Sequence, residues 1–74
     1  MRLSEFRIAV ADEFGEGYAR VLVEDLVLGD LGGVTAAQAL ASGAAPRDVW
    51  LALCAAKDVP EQRRYGVGLR EPRG

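Results

Sequence analysis

The stretch Pro46-Arg47-Asp48-Val49-Trp50-Leu51-Ala52-Leu53-Cys54-Ala55-Ala56-Lys57 decides the fold, because it carries the strongest helix signal in the 74-residue chain. Its apolar residues Val49, Trp50, Leu53 and Cys54 follow the i, i+1, i+4, i+5 spacing of one helical face. The proline suits the first helical position, where its missing N–H has no intrahelical partner to lose. Trp50 is the only tryptophan, and an indole buries on the order of 200 Å². We therefore predict that the core forms around it.

Outward from this segment, the pattern predicts three more helices separated by turns. The first begins with Ser4 as its N-cap and ends at Gly15, where glycine favours a stop. The second runs from about Glu16 to about Leu28 and has a broad apolar surface. The third covers Ala36 to Ser42 and opens with Thr35-Ala36-Ala37-Gln38, whose Thr and Gln match a capping box.

The predicted fold class is all-α, a small single-domain bundle of about four short helices over residues 3–64. No stretch alternates apolar and polar residues as a half-buried strand would. One further helical turn is expected between Pro60 and Arg64. Residues 65–74 hold three glycines and a proline without periodicity, and we expect a flexible basic tail there. A short helix, a turn and a second helix also give residues 35–57 a helix-turn-helix-like layout.

Charge and composition restrict the class of protein. The formal net charge is −2, which argues against strong nucleic-acid binding by the chain as a whole. The four arginines of residues 60–74 make only a mild basic end. A single cysteine excludes an intramolecular disulfide, and no apolar run is long enough for a signal peptide or a membrane span. We expect a cytoplasmic protein that does not enter a membrane.

Short motifs spread over residues 1–64 carry a resemblance to a known family. They are Met1-Arg2-Leu3-Ser4-Glu5-Phe6, Phe14-Gly15, Tyr18-Ala19-Arg20, Asp25, Leu28, Leu31-Gly32-Gly33, Thr35, Gln38-Ala39-Leu40, Gly43, Val49-Trp50, Ala52, Cys54, Asp58-Val59-Pro60 and Arg63-Arg64. In them the chain resembles a family of short actinobacterial proteins classed as a domain of unknown function. Members are often encoded near a recombinase and the regulator of that recombinase. The resemblance implies no activity and supplies no catalytic residues.

The residue inventory gives no support to catalysis. The chain has no histidine, which removes the commonest general base and the commonest metal ligand. Cys54 lies on the apolar face of its helix, and we predict a buried structural thiol. The loop Gly29-Asp30-Leu31-Gly32-Gly33 lacks the lysine and the preceding strand of a phosphate-binding loop, so it is interpreted as an interhelical turn. We expect no enzyme activity, no catalytic residue, no cofactor and no metal site.

Protein binding is the function that the apolar residues favour. Val23 and Val27 widen the apolar surface of the second helix, and Leu51 adds to that of the fourth. This is more apolar surface than so small a core is expected to cover, and exposed apolar patches often mark partner sites. We therefore expect a protein partner or a homodimer, with these three residues among the contacts.

DNA binding through residues 35–64 is the alternative, as a weak helix-turn-helix-like protein linked to recombination or repair. Arg47 would lie at the start of the recognition helix, and Arg63 and Arg64 would contact the DNA backbone. The alternative is not favoured, because Asp48 adjoins Arg47 and would repel phosphate. The alanines that follow offer no donors to base edges.

Overall fold

The computed structural model describes residues 1–64, so the tail predicted over residues 65–74 lies outside the described residues. The all-α fold class is confirmed, because helices dominate the described part of the chain and its one sheet is a pair of two-residue strands. The elements are α1 (Leu3–Phe14), α2 (Glu16–Asp25), β1 (Val27–Leu28), β2 (Val34–Thr35), α3 (Ala36–Ala41), α4 (Pro46–Ala56) and α5 (Glu61–Arg64), with a short 3-10 turn at Gly29–Leu31 between the strands.

The predicted central helix forms α4, and the core surrounds it. Pro46 occupies its first turn and Lys57 is its C-cap. The four apolar residues predicted to share a face are all buried, and the Trp50 side chain is 1 % exposed. α4 contacts α1, α3, α5 and β1, so most elements of the described fold pack directly against this one helix. The other buried apolar residues are Phe6, Ala9, Val10, Ala19, Leu22, Leu28, Ala36, Ala39, Ala52 and Val59.

α1 and α2 are joined by the single residue Gly15, which has φ 90° and ψ 143°. Its N–H donates to the Ala11 carbonyl at 2.8 Å, and its own carbonyl accepts from the Ala19 N–H at 2.7 Å. One residue therefore ends the first helix and starts the second, which leaves the two helices packed side by side.

The predicted start of α1 is wrong by two residues. Arg2, not Ser4, is the N-cap, and the helix begins at Leu3. The Glu5 carboxylate accepts the Arg2 backbone N–H at 2.7 Å. A charged acceptor at the third helical position satisfies this otherwise unpaired donor, which moves the start of the helix toward the N-terminus.

The predicted end of the second helix is also wrong. α2 ends at Asp25 with Leu26 as its C-cap, and Val27 and Leu28, predicted to be helical, form β1 instead. Val27 pairs with Thr35 and Leu28 pairs with Val34 in an antiparallel ladder. Three of these four residues are β-branched, which favours the extended backbone. The pairing also turns Leu28 into the core, where it is 1 % exposed.

The capping box predicted for the third helix is confirmed. The Thr35 hydroxyl accepts the Gln38 N–H at 3.1 Å, and the Gln38 side-chain oxygen accepts the Thr35 N–H at 2.9 Å. α3 ends at Ala41 with Ser42 as its C-cap. Residues 42–45 then connect it to α4, so the order of short helix, turn and longer helix is as predicted.

Candidate functional site

An open groove of about 700 Å³ lies between α1, α2 and α3. Its deepest residues are Phe6, Val10 and Ala19, which belong to the buried core. Its walls come from successive turns of the two long helices at spacings of three and four, so one face of each helix borders it. The remaining lining residues are Leu3, Arg7, Ala11, Glu16, Arg20, Val23, Glu24, Ala37, Leu40 and Ala41.

Small side chains explain why the groove stays open. Ala11 on α1 and Ala37 and Ala41 on α3 line the groove and contribute only a methyl group each. Ala41 is exposed, and the other two are half-buried. These alanines were assigned no role from the sequence, so the groove was not predicted. The available signal was the recurrence of alanine at positions 37 and 41, one helical turn apart.

Four exposed charged residues border the groove. Glu16, Arg20 and Glu24 follow one another at spacings of four along α2, and Arg7 lies on α1. Residues four apart are neighbours on a helix surface, so α2 presents an acidic, basic, acidic row. Within residues 1–64 the one ion pair joins Arg63 to Glu13. None of the four bordering charges is therefore paired with another described side chain.

The structure separates the three apolar residues predicted as a protein-binding surface. Val23 is half-buried and lines the groove. Val27 is 58 % exposed, but it lies in β1 and does not line the groove. Leu51 is half-buried and packs against the core. One of the three, Val23, therefore belongs to the candidate site.

Other exposed apolar side chains lie mostly outside the groove. Leu3 lines it, whereas Ile8, Tyr18 and Val21 do not. The rings of Tyr18 and Phe14 meet edge to face with their centroids 6.4 Å apart. The Lys57 ammonium lies 5.6 Å from the centroid of the Tyr18 ring. Single exposed apolar residues are ordinary on protein surfaces, and we assign these three no binding role.

The three arginines predicted to contact DNA lie in different settings. Arg47 is exposed in the first turn of α4, beside the exposed Asp48. The Arg63 guanidinium donates to the Glu13 carboxylate at 2.7 Å. Arg64 is half-buried, its Nε donates to the Val59 carbonyl at 2.8 Å, and its carbonyl accepts the indole N–H of Trp50 at 2.6 Å. These contacts of Arg63 and Arg64 hold α5 against the rest of the fold.

Cys54 is fully buried in the core. Burial raises the pKa of the thiol from an ordinary value of 9.0 to about 11, with the Arg64 guanidinium opposing the rise and the Glu13 carboxylate adding to it. A nucleophilic or metal-binding cysteine needs the thiolate form. The thiol of the folded protein is therefore held in its unreactive form at neutral pH.

The free energy of unfolding is expected to fall between about pH 9 and about pH 11 because of Cys54. The pKa of the thiol is higher in the folded state, so the unfolded chain loses the thiol proton at a lower pH. The contribution of the buried thiol to the free energy of unfolding is therefore complete only below the pKa of the unfolded state. The measurement is urea unfolding of the wild type and Cys54→Ala across this range. The difference in unfolding free energy between the wild type and Cys54→Ala should shrink by about 2 kcal/mol across this pH range. An unchanged difference would contradict the burial of a protonated thiol.

Residues 1–64 contain no group of three or more His, Cys, Asp or Glu side chains placed to hold a metal ion. Every buried polar side-chain atom in that range has a hydrogen-bond partner. None of the helices found there is both long and apolar enough to cross a bilayer.

Comparison with known proteins gives a family and no function. The family described as Protein of unknown function (DUF3046) matches residues 1–62, which include every residue that lines the groove. No curated protein and no solved structure matches the chain. The match covers most of the 74 residues, and the chain belongs to this family of proteins of unknown function.

Proposed function

We propose that the protein is a non-enzymatic, cytoplasmic protein-interaction module that binds its partner in the groove between α1, α2 and α3. The observation that carries this proposal is the groove itself, an open depression whose buried lining residues are apolar and whose bordering charges have no partner within residues 1–64. Apolar area removed from water contributes about 25 cal/mol per Å². A partner that fills the groove would gain this energy, and the charged border would select which partner fits.

The groove has the composition of a protein contact more than of a small-molecule site. Small-molecule sites place a few polar groups inside an apolar pocket to fix the ligand's orientation. The deepest residues here, Phe6, Val10 and Ala19, offer apolar side chains only. The charges lie at the border, as they do around the apolar centre of a protein interface.

DNA binding remains the second candidate, supported by the exposed Arg47 at the start of α4 and by the order of α3, turn and α4. Its support is weaker. Asp48 lies beside Arg47, and the contacts of Arg63 and Arg64 within the fold would have to be given up for phosphate. The gene neighbourhood that the family resemblance implies is an association with recombination and gives no contact residue.

The test places a photo-crosslinking phenylalanine derivative either at position 41, in the groove wall, or at position 47, on the alternative surface. Cells that produce either variant are irradiated, and the products are separated by mass and digested for identification. We expect a defined protein product from position 41. Filling the groove with Ala37→Trp should abolish that product, and Ala55→Trp, on the exposed side of α4, should leave it unchanged.

The outcomes separate the two candidates. A protein product from position 41 that is lost with Ala37→Trp and kept with Ala55→Trp supports the groove. Nuclease-sensitive products from position 47 alone would replace the proposal with DNA binding. Absence of any product from position 41, with circular dichroism showing a folded variant, would overturn the groove as a binding site.

A further inference from the structure

We infer that the occupant of the groove is an amphipathic helix of a different protein, with a basic, acidic, basic row beside its apolar face. This inference rests on the proposed function and names the class of partner.

The groove has the length of two turns of helix. Its lining on α1 extends from Leu3 to Ala11, which is roughly 12 Å at about 1.5 Å per residue. The lining on α2, from Glu16 to Glu24, has the same length. Two turns of a bound helix present three or four apolar side chains at i, i+3, i+4 and i+7. The alanines of the walls leave space for such side chains between them.

A helix suits this groove better than an extended peptide. Extended peptides bind by adding a strand to a free sheet edge, which pairs their backbone groups. Within residues 1–64 the groove is lined by α1, α2 and α3 alone. Their interior backbone groups are already paired inside each helix, so a strand laid there would leave its own N–H and C=O groups unpaired. A helix satisfies its backbone internally and brings only side chains to the contact.

The charged row specifies the partner's polar flank. Glu16, Arg20 and Glu24 repeat every four residues, and a helix lying alongside repeats its own side chains at the same interval. The complementary row is therefore Lys or Arg, then Glu or Asp, then Lys or Arg. Because the row on α2 is the same in both directions, it selects the partner's sequence without fixing whether the bound helix is parallel or antiparallel to α2.

The same row disfavours a second copy of this chain. If α2 of another copy lay in register along the groove, acid would face acid and arginine would face arginine. An antiparallel shift of one turn pairs Arg20 of each copy with Glu24 of the other and leaves Glu16 of each copy unmatched. A parallel shift likewise leaves one acid of each copy unmatched. Like charges in contact oppose association, so the row favours a foreign helix over self-association.

The test uses two designed peptides of about fifteen residues, long enough to form helix on binding. Both carry leucines along one face and are capped at each end. The first has lysine, glutamate and lysine at successive spacings of four beside the leucines, and the second has glutamate, lysine and glutamate there. Binding is measured by fluorescence anisotropy at about 50 mM salt, where screening of exposed charges is weak.

The wild-type protein should bind the first peptide about tenfold more tightly, since three exposed ion pairs replace three repulsions. The triple variant Glu16→Lys, Arg20→Glu, Glu24→Lys should reverse this preference. Ala37→Trp should weaken both peptides, and Ala55→Trp should weaken neither. All variants are first checked by circular dichroism and thermal unfolding, so that loss of binding is separated from loss of fold.

Equal affinity for the two peptides would overturn the charge selection, and absence of binding to either would overturn a helical occupant. Sedimentation of the protein alone detects the remaining alternative, because dimers that dissociate with Ala37→Trp and persist with Ala55→Trp would make a second copy the occupant. If neither peptide binds but the crosslink at position 41 still forms and still depends on the groove, only this inference is refuted. Failure of the crosslink would refute the proposed function itself.

Discussion

The Trp50→Ala protein is expected to be unfolded at 25 °C. Trp50 is the largest fully buried side chain, and it lies on the helix that α1, α3, α5 and β1 pack against. Truncating a buried tryptophan to alanine costs about 3–5 kcal/mol. A domain of this size has a total stability of about 3–5 kcal/mol, so the substitution removes most or all of it. The measurement is circular dichroism with a one-dimensional proton spectrum.

Trp50→Phe is the matched control for this prediction. It keeps an aromatic ring in the core and loses the indole N–H, which donates to the Arg64 carbonyl at 2.6 Å. We expect a folded protein that is about 1–3 kcal/mol less stable, from the lost hydrogen bond and the smaller ring. A Trp50→Ala protein whose unfolding free energy stays within about 1 kcal/mol of the wild type would contradict the central role of this residue.

Gly15→Ala is expected to destabilise the fold by about 1–3 kcal/mol, the cost of holding a non-glycine residue in a sparsely populated backbone region. Gly15 has φ 90° and ψ 143°, and a Cβ added to it would meet no heavy atom within 4 Å. The expected cost is therefore conformational rather than steric. It falls at the one residue that joins α1 to α2, and urea unfolding measures it directly.

Gly17→Ala provides the control two residues further along. This glycine lies inside α2, and a Cβ there would also meet nothing within 4 Å. Because alanine has the higher helix propensity, this change should stabilise the protein by up to about 1 kcal/mol. Opposite signs for the two substitutions would identify backbone conformation as the cause. If both glycines respond alike to alanine, the assigned geometry of the α1–α2 connection is wrong.

The parts of the fold that could be predicted from the sequence are those with a local cause. Proline at the first position and the spacing of Val49, Trp50, Leu53 and Cys54 were enough to locate α4. The reciprocal hydrogen bonds of Thr35 and Gln38 depend on residues three apart, so the start of α3 was predictable as well. In each case the side chains that determine the element lie within it.

Apart from the start of α1, where a local contact was misjudged, the errors arise where distant residues decide. Val27 and Leu28 continue the apolar pattern of α2, and only their pairing with Val34 and Thr35 makes them a strand. The groove forms where three helices leave space between them. The apolar spacing along any one helix cannot reveal such a space. Val23 and Val27 looked equivalent in sequence, yet the change of backbone at Leu26 puts only the first in the groove wall. Of the residues predicted from the sequence as contacts, Val23 is therefore the one that lines the groove.

The contacts of α5 have a consequence for how the protein is made. Arg63 forms an ion pair with Glu13, fifty positions earlier in the chain, and the Arg64 carbonyl accepts the indole N–H of Trp50. During synthesis the chain emerges from its N-terminus, so α1, α2 and α3 leave the ribosome before the residues that complete the tryptophan's surroundings. The order of translation therefore delays completion of the core until almost the last residue of the described domain has been released.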